Sequence, residues 1–340
     1  MKKSKYFVLR EFLTYKEITM FLILFLFLMV VFFPKGKIEE LLLSSQETNK
    51  DLAKKYLGAL IKVKSPENLK AVFLKKFAQI GSEEEVKKLI QKVKRENPKL
   101  SLEVEYIFLK QKYFSNKENK EFLIKQLRDT LSKLILLENN PEKLKEWFKE
   151  SVSMNFPELA YLSAKKLAAL TDSMSWYEEA FIYAIYTGKK EEAKKFVGKF
   201  KPLKRESYML LYYYLVENHK YGDALRILEE FVKKYPNQRN EILKELMIAY
   251  FLAGKIRRGE KILEEIVKKE TNEKREKLIL ISIRKLMQVG AYERAKKIIW
   301  KYIKEFKGNK RLLTELLKLS LQTGDPEFAA QVAEEIIREE

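Results

Sequence analysis

The chain has 340 residues, with 68 Lys and Arg against 48 Asp and Glu, a formal net charge of +20, one histidine and no cysteine. This composition excludes thiol nucleophiles, disulfides, zinc fingers and iron–sulfur clusters, and His219 is the only imidazole that a histidine-dependent mechanism could use. With 46% hydrophobic and 34% charged residues, the chain is predicted to be folded and rich in helix, and we expect no enzymatic activity, cofactor or metal site.

The first predicted element is a hydrophobic helix from Ile18 to Phe33, which carries no charge and ends before Pro34. It would cover about 24 Å of a hydrocarbon core about 30 Å thick, so the preceding residues must help it to span. We interpret it as an uncleaved transmembrane signal anchor. The alternative, a cleaved signal peptide, would need small residues after the apolar run, and this run ends in Phe-Phe-Pro-Lys.

Basic flanks set the predicted orientation of this helix. Five Lys and Arg residues precede it, whereas two Lys residues lie within fifteen positions after it, which favours a cytoplasmic N-terminus. The sequence therefore predicts a single-pass protein of the inner (cytoplasmic) membrane. Residues 1–17 would be a short basic cytoplasmic segment, 18–33 the anchor, 34–47 a juxtamembrane helix or linker, and 48–340 an extracytoplasmic domain, periplasmic where the cell has a periplasm.

Past residue 47 the chain reads as amphipathic helices whose connectors recur at a fixed period. Each connector has a turn residue followed five positions later by a small residue, and the successive turn residues lie 31, 35, 36 and 34 positions apart. These pairs are Gly188 with Ala193, His219 with Ala224, Gly254 with Gly259, Gly290 with Ala295, and Gly324 with Ala329. Upstream, Asn155 with Ala160 and Gly81 with Val86 fit the pattern, and a degenerate copy is expected around Asn119.

Each recurring residue type has a physical reason. A glycine, or an asparagine at small cost, takes the left-handed conformation that ends the first helix of a pair. The small residue at five lets the two helices approach closely. Pro98 and Pro236, each seventeen residues after a turn residue, are predicted to end the second helix.

Two segments, residues 215–237 and 287–306, resemble the tetratricopeptide repeat in their turn residue, the aromatic residue two positions later and the small residue at five. The resemblance covers roughly residues 48–340; it is clearest over 174–340 and degenerate over 100–145. It implies an all-α fold in which the transmembrane helix is followed by an α-solenoid of about seven or eight helix–turn–helix repeats, wound as a right-handed superhelix with a concave face.

No catalytic constellation stands out. His219 occupies the slot that glycine fills in neighbouring repeats, so we interpret it as a turn residue. The acidic runs at Glu83–Glu85 and Glu191–Glu192 begin predicted helices, where they complement the helix dipole. No GxGxxG, Walker A, HExxH or GxSxG pattern occurs in the sequence.

A partner-binding groove is the remaining candidate site, because proteins of the tetratricopeptide family bind partners on the concave face of their first helices. The residues that this register places there are mostly basic with an apolar middle, which suits an acidic or extended protein segment. The alternative is that these lysines are only the solvated surface of a basic chain. The candidates are Lys75, Lys145, Lys149, Glu178, Ile182, Met209, Tyr213, Lys244, Ile248, Arg284, Thr314 and Lys318.

Aromatic residues are discounted as binding residues. Tyr208, Tyr212, Tyr213 and Tyr214 point all round one helix, so at least half of them are expected in the core. We expect the tryptophans in the core as well, namely Trp147, Trp176 and Trp300.

The last predicted helix has Phe328, Val332 and Ile336 on one face and no capping helix after it. Solenoid ends need a polar outer surface. Either the polar side of this helix suffices, or the helix docks a partner or a second copy of the chain, so a homo-oligomer is one expectation.

The segment Phe32–Ile90 is similar to the amino-terminal part of the repeat proteins of Pel-type exopolysaccharide export. The similarity rests on a membrane helix that runs into a first repeat and on the stretch YLGALIKVKSPEN at Tyr56–Asn68. Proteins of that family hold a polysaccharide-modifying enzyme beside the export channel, so the resemblance implies a scaffold in exopolysaccharide export.

The leading functional expectation is a non-enzymatic, membrane-anchored scaffold that binds a protein partner in its groove and recruits it to an envelope assembly. A periplasmic chaperone, or an assembly factor for pili, division or the envelope, would use the same groove. An RNA-binding helical-repeat protein is a further alternative, but Arg is scarce here, so nucleic acid is not the expected partner. The Lys and Glu bias is typical of a thermophile, although an AT-rich genome also favours Lys.

Overall fold

The computed structural model describes residues 19–21, 23–24, 50–62, 67–115, 119–306 and 309–339. Regular structure in these residues is helical throughout, which confirms the predicted all-α class. Among them, no helix combines the length and the hydrophobicity needed to cross a bilayer. The predicted anchor lies mostly outside the described residues, apart from its helical positions 19–21 and 23–24, and the predicted segments 1–17 and 34–47 lie outside them altogether.

The chain divides into two compact units, Met1–Glu138 and Asn139–Glu340, called unit 1 and unit 2 below. The helices of unit 1 are α1 (Lys50–Lys62), α2 (Glu67–Ile80), α3 (Glu83–Glu96), α4 (Pro98–Ser115) and α5 (Lys120–Leu137). Helix α1 packs on α2, and α4 packs on α2, α3 and α5. The core of unit 1 includes Leu74 from α2, Val86 from α3 and Phe108 from α4.

Unit 2 is a stack of helix pairs. Its helices are α6 (Pro141–Ser153), α7 (Pro157–Thr171), α8 (Met174–Tyr186), α9 (Lys190–Lys194), α10 (Arg205–Glu217), α11 (Tyr221–Lys234), α12 (Leu243–Leu252), α13 (Ile256–Lys269), α14 (Asn272–Gln288), α15 (Tyr292–Tyr302), α16 (Lys310–Leu321) and α17 (Pro326–Glu339). Short 3-10 helices, Pro236–Ile242 and Ile303–Phe306, precede or follow members of these pairs. Within each pair the helices pack together, and some first helices also pack on the next first helix, namely α8 on α10, α12 on α14 and α14 on α16. One hydrophobic core extends from Tyr161 to Val332.

The turn register predicted from the sequence is confirmed in unit 2. Every predicted turn residue there is left-handed, with φ between 56° and 74°: Asn155, Gly188, His219, Gly254, Gly290 and Gly324. The small residues five positions later are buried: Ala160, Ala193, Ala224, Gly259, Ala295 and Ala329. Because both features recur in the same register, unit 2 is a helical repeat.

Unit 1 follows the register less closely. Gly81 does not adopt positive φ, so the left-handed conformation predicted for it is wrong. A Cβ at Gly81 would lie 2.9 Å from Val86 and 3.0 Å from the carbonyl oxygen of Phe77, so close packing is what requires glycine there. Asn119 is left-handed, with φ 60°, as expected for a degenerate copy, and the residue five positions later is only half-buried Ile124.

Prolines end the second helices where the sequence predicts it. Helix α3 ends at Glu96, two residues before Pro98, and α11 ends at Lys234, two residues before Pro236. The proline ring removes the backbone donor that a continued helix would need.

One repeat departs from the others. The spacing of 31 residues between Gly188 and His219 corresponds to a second helix, α9, that ends at Lys194. From there to Lys204 the chain has no regular helix and passes through Gly198, whose φ is 90°. This repeat is therefore shorter than the others because its second helix is shorter.

Candidate functional site

The predicted groove residues of unit 2 lie on α6, α8, α10, α12, α14 and α16, the first helices of the pairs. Each lies ten or six positions before the turn residue of its pair. We call the exposed side of these helices the first-helix face. Six predicted residues are exposed on it: Lys149, Tyr213, Lys244, Arg284, Thr314 and Lys318. Lys145 is half-buried and forms an ion pair with Glu142 at 2.7 Å.

Glu178 and Ile182 do not face an open groove, so that part of the prediction is wrong. The carboxylate of Glu178 is buried and accepts the backbone N–H groups of Leu203 and Lys204, at 2.7 and 3.1 Å. It therefore caps the irregular segment that follows the short helix α9. Ile182 is also buried, as is usual for an isoleucine inside a packed stack of helices.

Met209 and Ile248 are half-buried and pack against the core of unit 2. In unit 1, Lys75 forms an ion pair with Glu103, whose side chain is 5% exposed. These three residues therefore contribute to the fold of their units, and only part of each side chain is accessible to a partner.

Neighbouring repeats are joined across the first-helix face by a recurring contact. The Tyr213 hydroxyl on α10 donates to Glu245 on α12 at 3.4 Å, and Arg284 on α14 forms an ion pair with Glu315 on α16. Both acids lie nine positions before their turn residues, and both of their partners lie six positions before theirs. The same pair of register positions therefore makes both contacts.

Sequence reasoning missed the acids of this face. Glutamates stand nine positions before the turn at Glu146, which is exposed, and at Glu179, Glu245 and Glu315, which are half-buried. Exposed acids on the same side are Glu142, Glu206, Glu217 and Glu241. The 3.6-residue period that selected the basic candidates brings these acids to the same side. The face is therefore mixed in charge, with a glutamate-rich middle on α8, α10 and α12 and not the mostly basic surface that was expected.

Aromatic rings lie beside these acids between α6 and α8. Phe148 stacks edge-to-face on Trp176 and on Tyr183, with ring centroids 5.2 and 5.6 Å apart. Tyr183 in turn contacts Tyr186, which is exposed. Burial raises the pKa of Tyr183, and the nearby negative charges of glutamates on α8 and α10 raise it further. The middle of the face thus presents aromatic rings together with carboxylates.

The tyrosine run behaves as its helical geometry predicts. Tyr208, Tyr212 and Tyr214 are buried and Tyr213 is exposed, which confirms that at least half of the run is core. Trp147 and Trp176 are half-buried, whereas Trp300 is 50% exposed, so its predicted place in the core is wrong.

Among the described residues, the clefts outside the first-helix face include one in each unit. In unit 2 a cleft of about 470 Å³ adjoins the short helix α9, between the irregular segment with Phe200 and the pair α10–α11 with Leu211 and Ile227. In unit 1 a cleft of about 540 Å³ lies between α3, α4 and α5. Its Glu83 accepts hydrogen bonds from Lys112 and Lys87, which lower the pKa of that carboxyl to about 2. Only the spacing of 31 residues could have indicated the first of these clefts.

His219 is an exposed turn residue with φ 57°, and its Nδ1 lies 2.7 Å from the Tyr221 hydroxyl. The left-handed backbone accounts for a histidine in a glycine slot. Among the residues that the structure describes, no group of three or more His, Asp or Glu side chains could hold a metal ion.

Comparison with known proteins adds nothing to the assignment of the fold. No protein-family model matches the chain, and no curated protein matches it. Among solved structures it is similar to a "Circular tandem repeat protein with novel repeat topology and enhanced subunit contact surfaces", at 18% identity and a TM-score of 0.12. That similarity covers 86% of this chain and 60% of the other protein, so the chain spans less than two thirds of its length. A likeness this weak carries no argument about function, and the helical repeat rests on the chain's own geometry.

Proposed function

We propose that the protein is a non-enzymatic, membrane-anchored scaffold of the tetratricopeptide type, whose first-helix face binds an extended segment of a protein partner. The observation that carries the proposal is the register of unit 2. Side chains ten and six positions before each left-handed turn recur on one side of successive first helices, and six of those predicted are exposed. Such a repeating surface suits an extended segment that contacts several repeats in turn.

Charge on this face supports a protein partner. Lys149, Lys244 and Lys318 are exposed, and within the described part of the chain none of them forms an ion pair. They can pair with carboxylates of an acidic segment. Between these lysines along the stack, Glu179 and Glu217 already pair with Lys204 and Lys190. The exposed Glu206 and the exposed rings of Tyr186 and Tyr213 remain able to accept cationic side chains. Opposite charges at different repeats would fix the register of the bound segment.

Anchoring belongs to the same proposal. Residues 18–33 form an uncleaved signal anchor in the inner membrane, with the N-terminus cytoplasmic and the repeats extracytoplasmic. Support comes from the uncharged sequence of this segment and from its described apolar side chains Met20, Phe21, Ile23 and Leu24, which are all more than half exposed. An anchor confines the first-helix face near the bilayer and raises its effective concentration for an envelope partner.

The stretch Tyr56–Asn68 is similar to the repeat proteins of Pel-type exopolysaccharide export, so this is the envelope pathway that we propose. In this proposal the repeats recruit a polysaccharide-modifying enzyme to the export machinery. The repeats then supply position and the recruited enzyme supplies the chemistry.

An affinity experiment with the full chain in detergent tests the first-helix face. The wild type is compared with Lys149→Glu combined with Lys244→Glu, and with a control of equal charge change on second helices, Lys261→Glu combined with Lys297→Glu. All four lysines are exposed, so the helical circular dichroism should not change. Extract of the native envelope is passed over each protein, and the bound proteins are identified by mass spectrometry at low and moderate salt.

We expect one discrete envelope protein to bind the wild type and the control at moderate salt and to be lost from the first-helix variant. Equal binding to all three proteins, or equal loss from both variants, would show that the first-helix face is not the binding surface. Retention of assorted anionic molecules that disappear as salt rises would assign the interaction to net charge alone.

A further inference from the structure

A second charged surface lies on the outer side of the second helices α13 and α15. On α13, Arg257, Lys261, Glu264 and Lys268 are exposed at helical spacing, so they form one stripe. On α15 and the 3-10 helix after it, Lys297, Trp300, Lys301 and Lys304 are exposed at the same spacing. Helices α13 and α15 thus each present one outward stripe that is mainly cationic.

Contacts between the helices join the two stripes into one surface. Lys301 of α15 donates a hydrogen bond to Glu264 of α13, in the middle of both stripes. A second ion pair links Arg294 to Glu260, with 3.6 Å between nitrogen and oxygen. We call the exposed side chains around these pairs the second-helix patch, which consists of Arg257, Lys261, Lys268, Lys297, Trp300 and Lys304.

The acids near the second-helix patch are already paired. Glu264 binds Lys301, and Glu260 binds Arg294. Glu265 accepts both guanidinium N–H groups of Arg239, at 2.8 Å each. In contrast, the five cations of the patch form no ion pair with any acid among the described residues. The patch therefore carries a net positive charge, although the charge of Lys268 also acts on the carboxylate of Glu264.

Trp300 is the unexpected member of this surface, since the residue is half exposed. It lies three residues after Lys297 and four before Lys304, so it projects from the same side of the chain as these cations. An indole ring combines a large apolar surface with one N–H donor, and such rings favour the boundary between lipid headgroups and acyl chains.

We propose that the second-helix patch docks on a bilayer surface that contains anionic lipids. The five cations contact lipid phosphates, and the indole of Trp300 enters the interfacial layer. Charge complementarity and the exposed ring among the cations favour a membrane. Nucleic acid is less suited, because four of the five cations are lysines and the patch offers a single ring in place of a row of stacking aromatics. The proposal is independent of the partner bound at the first-helix face.

Absence of cysteine makes a direct test possible, since one introduced cysteine is labelled without competition. The full chain carrying Lys297→Cys is labelled with a fluorophore and reconstituted into vesicles of phosphatidylcholine, or of phosphatidylcholine with phosphatidylglycerol. Both vesicles contain a lipid-borne quencher. A matched control carries the label on the first-helix face, at Lys149→Cys, which is also an exposed position. Any insertion of residues 18–33 is common to both proteins, so the label position isolates docking.

We expect quenching of the label at position 297 in vesicles with phosphatidylglycerol, reversal by added salt, and little quenching in phosphatidylcholine alone. The label at position 149 should stay unquenched in both. Equal quenching at the two positions, or equal quenching in the two lipids, would overturn the proposal.

A charge-neutralising variant measures how much the cations of the patch contribute to docking. Lys261→Gln combined with Lys268→Gln, in the labelled background, should lower the docking equilibrium roughly 25-fold, at roughly fivefold for each cation lost. Lys149→Gln combined with Lys244→Gln should leave it unchanged. Circular dichroism checks that each variant is folded. Titration with a single-stranded oligonucleotide gives the competing outcome: tight binding of that probe, with no lipid-dependent quenching, would reassign the patch to nucleic acid.

Discussion

Replacing Gly259 by alanine tests the close approach of paired helices. Gly259 lies on α13, five residues after the turn at Gly254, and is buried. A Cβ at this position would lie 2.5 and 2.6 Å from two ring carbons of Phe251 on α12. Phe251 is fully buried, so its ring has no open space to move into. Helices α12 and α13 must therefore separate to admit the methyl group.

The expected cost follows from the overlap. Ordinary contacts of a Cβ begin at 3.4 Å, so the alanine would overlap the ring by almost 1 Å. Overpacking of a core costs about 1–3 kcal/mol, and the buried ring favours the upper end of that range. Alanine also gains about 1 kcal/mol over glycine in a helix interior. The free energy of unfolding should therefore fall by about 2 kcal/mol.

Gly222→Ala is the matched control. Gly222 lies in α11, is exposed, and a Cβ there would meet no atom within 4 Å. Because Gly222 is the second residue of its helix, the same substitution should stabilise the protein by at most about 0.5 kcal/mol, the lower end of the value for helix interiors. The two substitutions should thus change the free energy of unfolding in opposite directions. The difference distinguishes the effect of packing, present only at Gly259, from the effect of backbone entropy, present at both.

Chemical denaturation followed by far-ultraviolet circular dichroism measures both variants. The double variant Gly259→Ala with Phe251→Leu adds a further check, because the smaller side chain makes room for the methyl group, and its coupling energy should be favourable. If Gly259→Ala stabilises the protein as much as Gly222→Ala, or if Phe251→Leu does not reduce its effect, the close approach of α12 and α13 does not depend on glycine.

Three further predictions concern residues with defined partners, and denaturation midpoints check each one. His219→Gly should keep or slightly raise stability, whereas His219→Ala should lower it by about 1 kcal/mol, since φ is 57°; equal effects would contradict the turn assignment. Glu178→Leu should lower the free energy of unfolding by about 3 kcal/mol, because the N–H groups of Leu203 and Lys204 lose their acceptor. Glu178→Gln should lower it less. No change in Glu178→Leu would refute the capping role of this carboxylate. Hydrogen bonds from Arg239 lower the pKa of Glu265 to about 2, so the pair stabilises the fold above pH 4.5 and loses this effect as the pH falls towards 2. Arg239→Leu should therefore lower the free energy of unfolding by about 1 kcal/mol at pH 7, and by progressively less below pH 4.5. A difference from the wild type that does not change with pH would exclude the ion pair as its source.

Local backbone features were predictable from the sequence. The left-handed turns at Asn155, His219 and the glycines depend on the few residues around them, and those residues are visible in the sequence. Gly81 shows the limit of this reasoning. It occupies the same sequence slot, yet contacts with Phe77 and Val86, and not the sign of φ, require glycine there.

Exposure was harder to predict, because it depends on which neighbour a side chain meets. Register alone placed Glu178 on the first-helix face, but the segment after the short helix α9 reaches α8, and its N–H groups bury that carboxylate. Composition favoured a buried Trp300, but its side of α15 has no covering helix among the described residues, and the residue is 50% exposed.

The all-α class, the positions of the turns and the buried small residues of unit 2 follow from the amino-acid order alone, because period, glycine and proline act through local geometry. Which charged side chains form ion pairs depends instead on the packing of the repeats. This packing pairs Arg284 with Glu315 and Lys301 with Glu264, and among the described residues it leaves the cations of the second-helix patch without an ion pair. Ion pairs form between side chains that lie about 30 residues apart in sequence and meet only when repeats stack, so charge on a surface is a property of the packed structure.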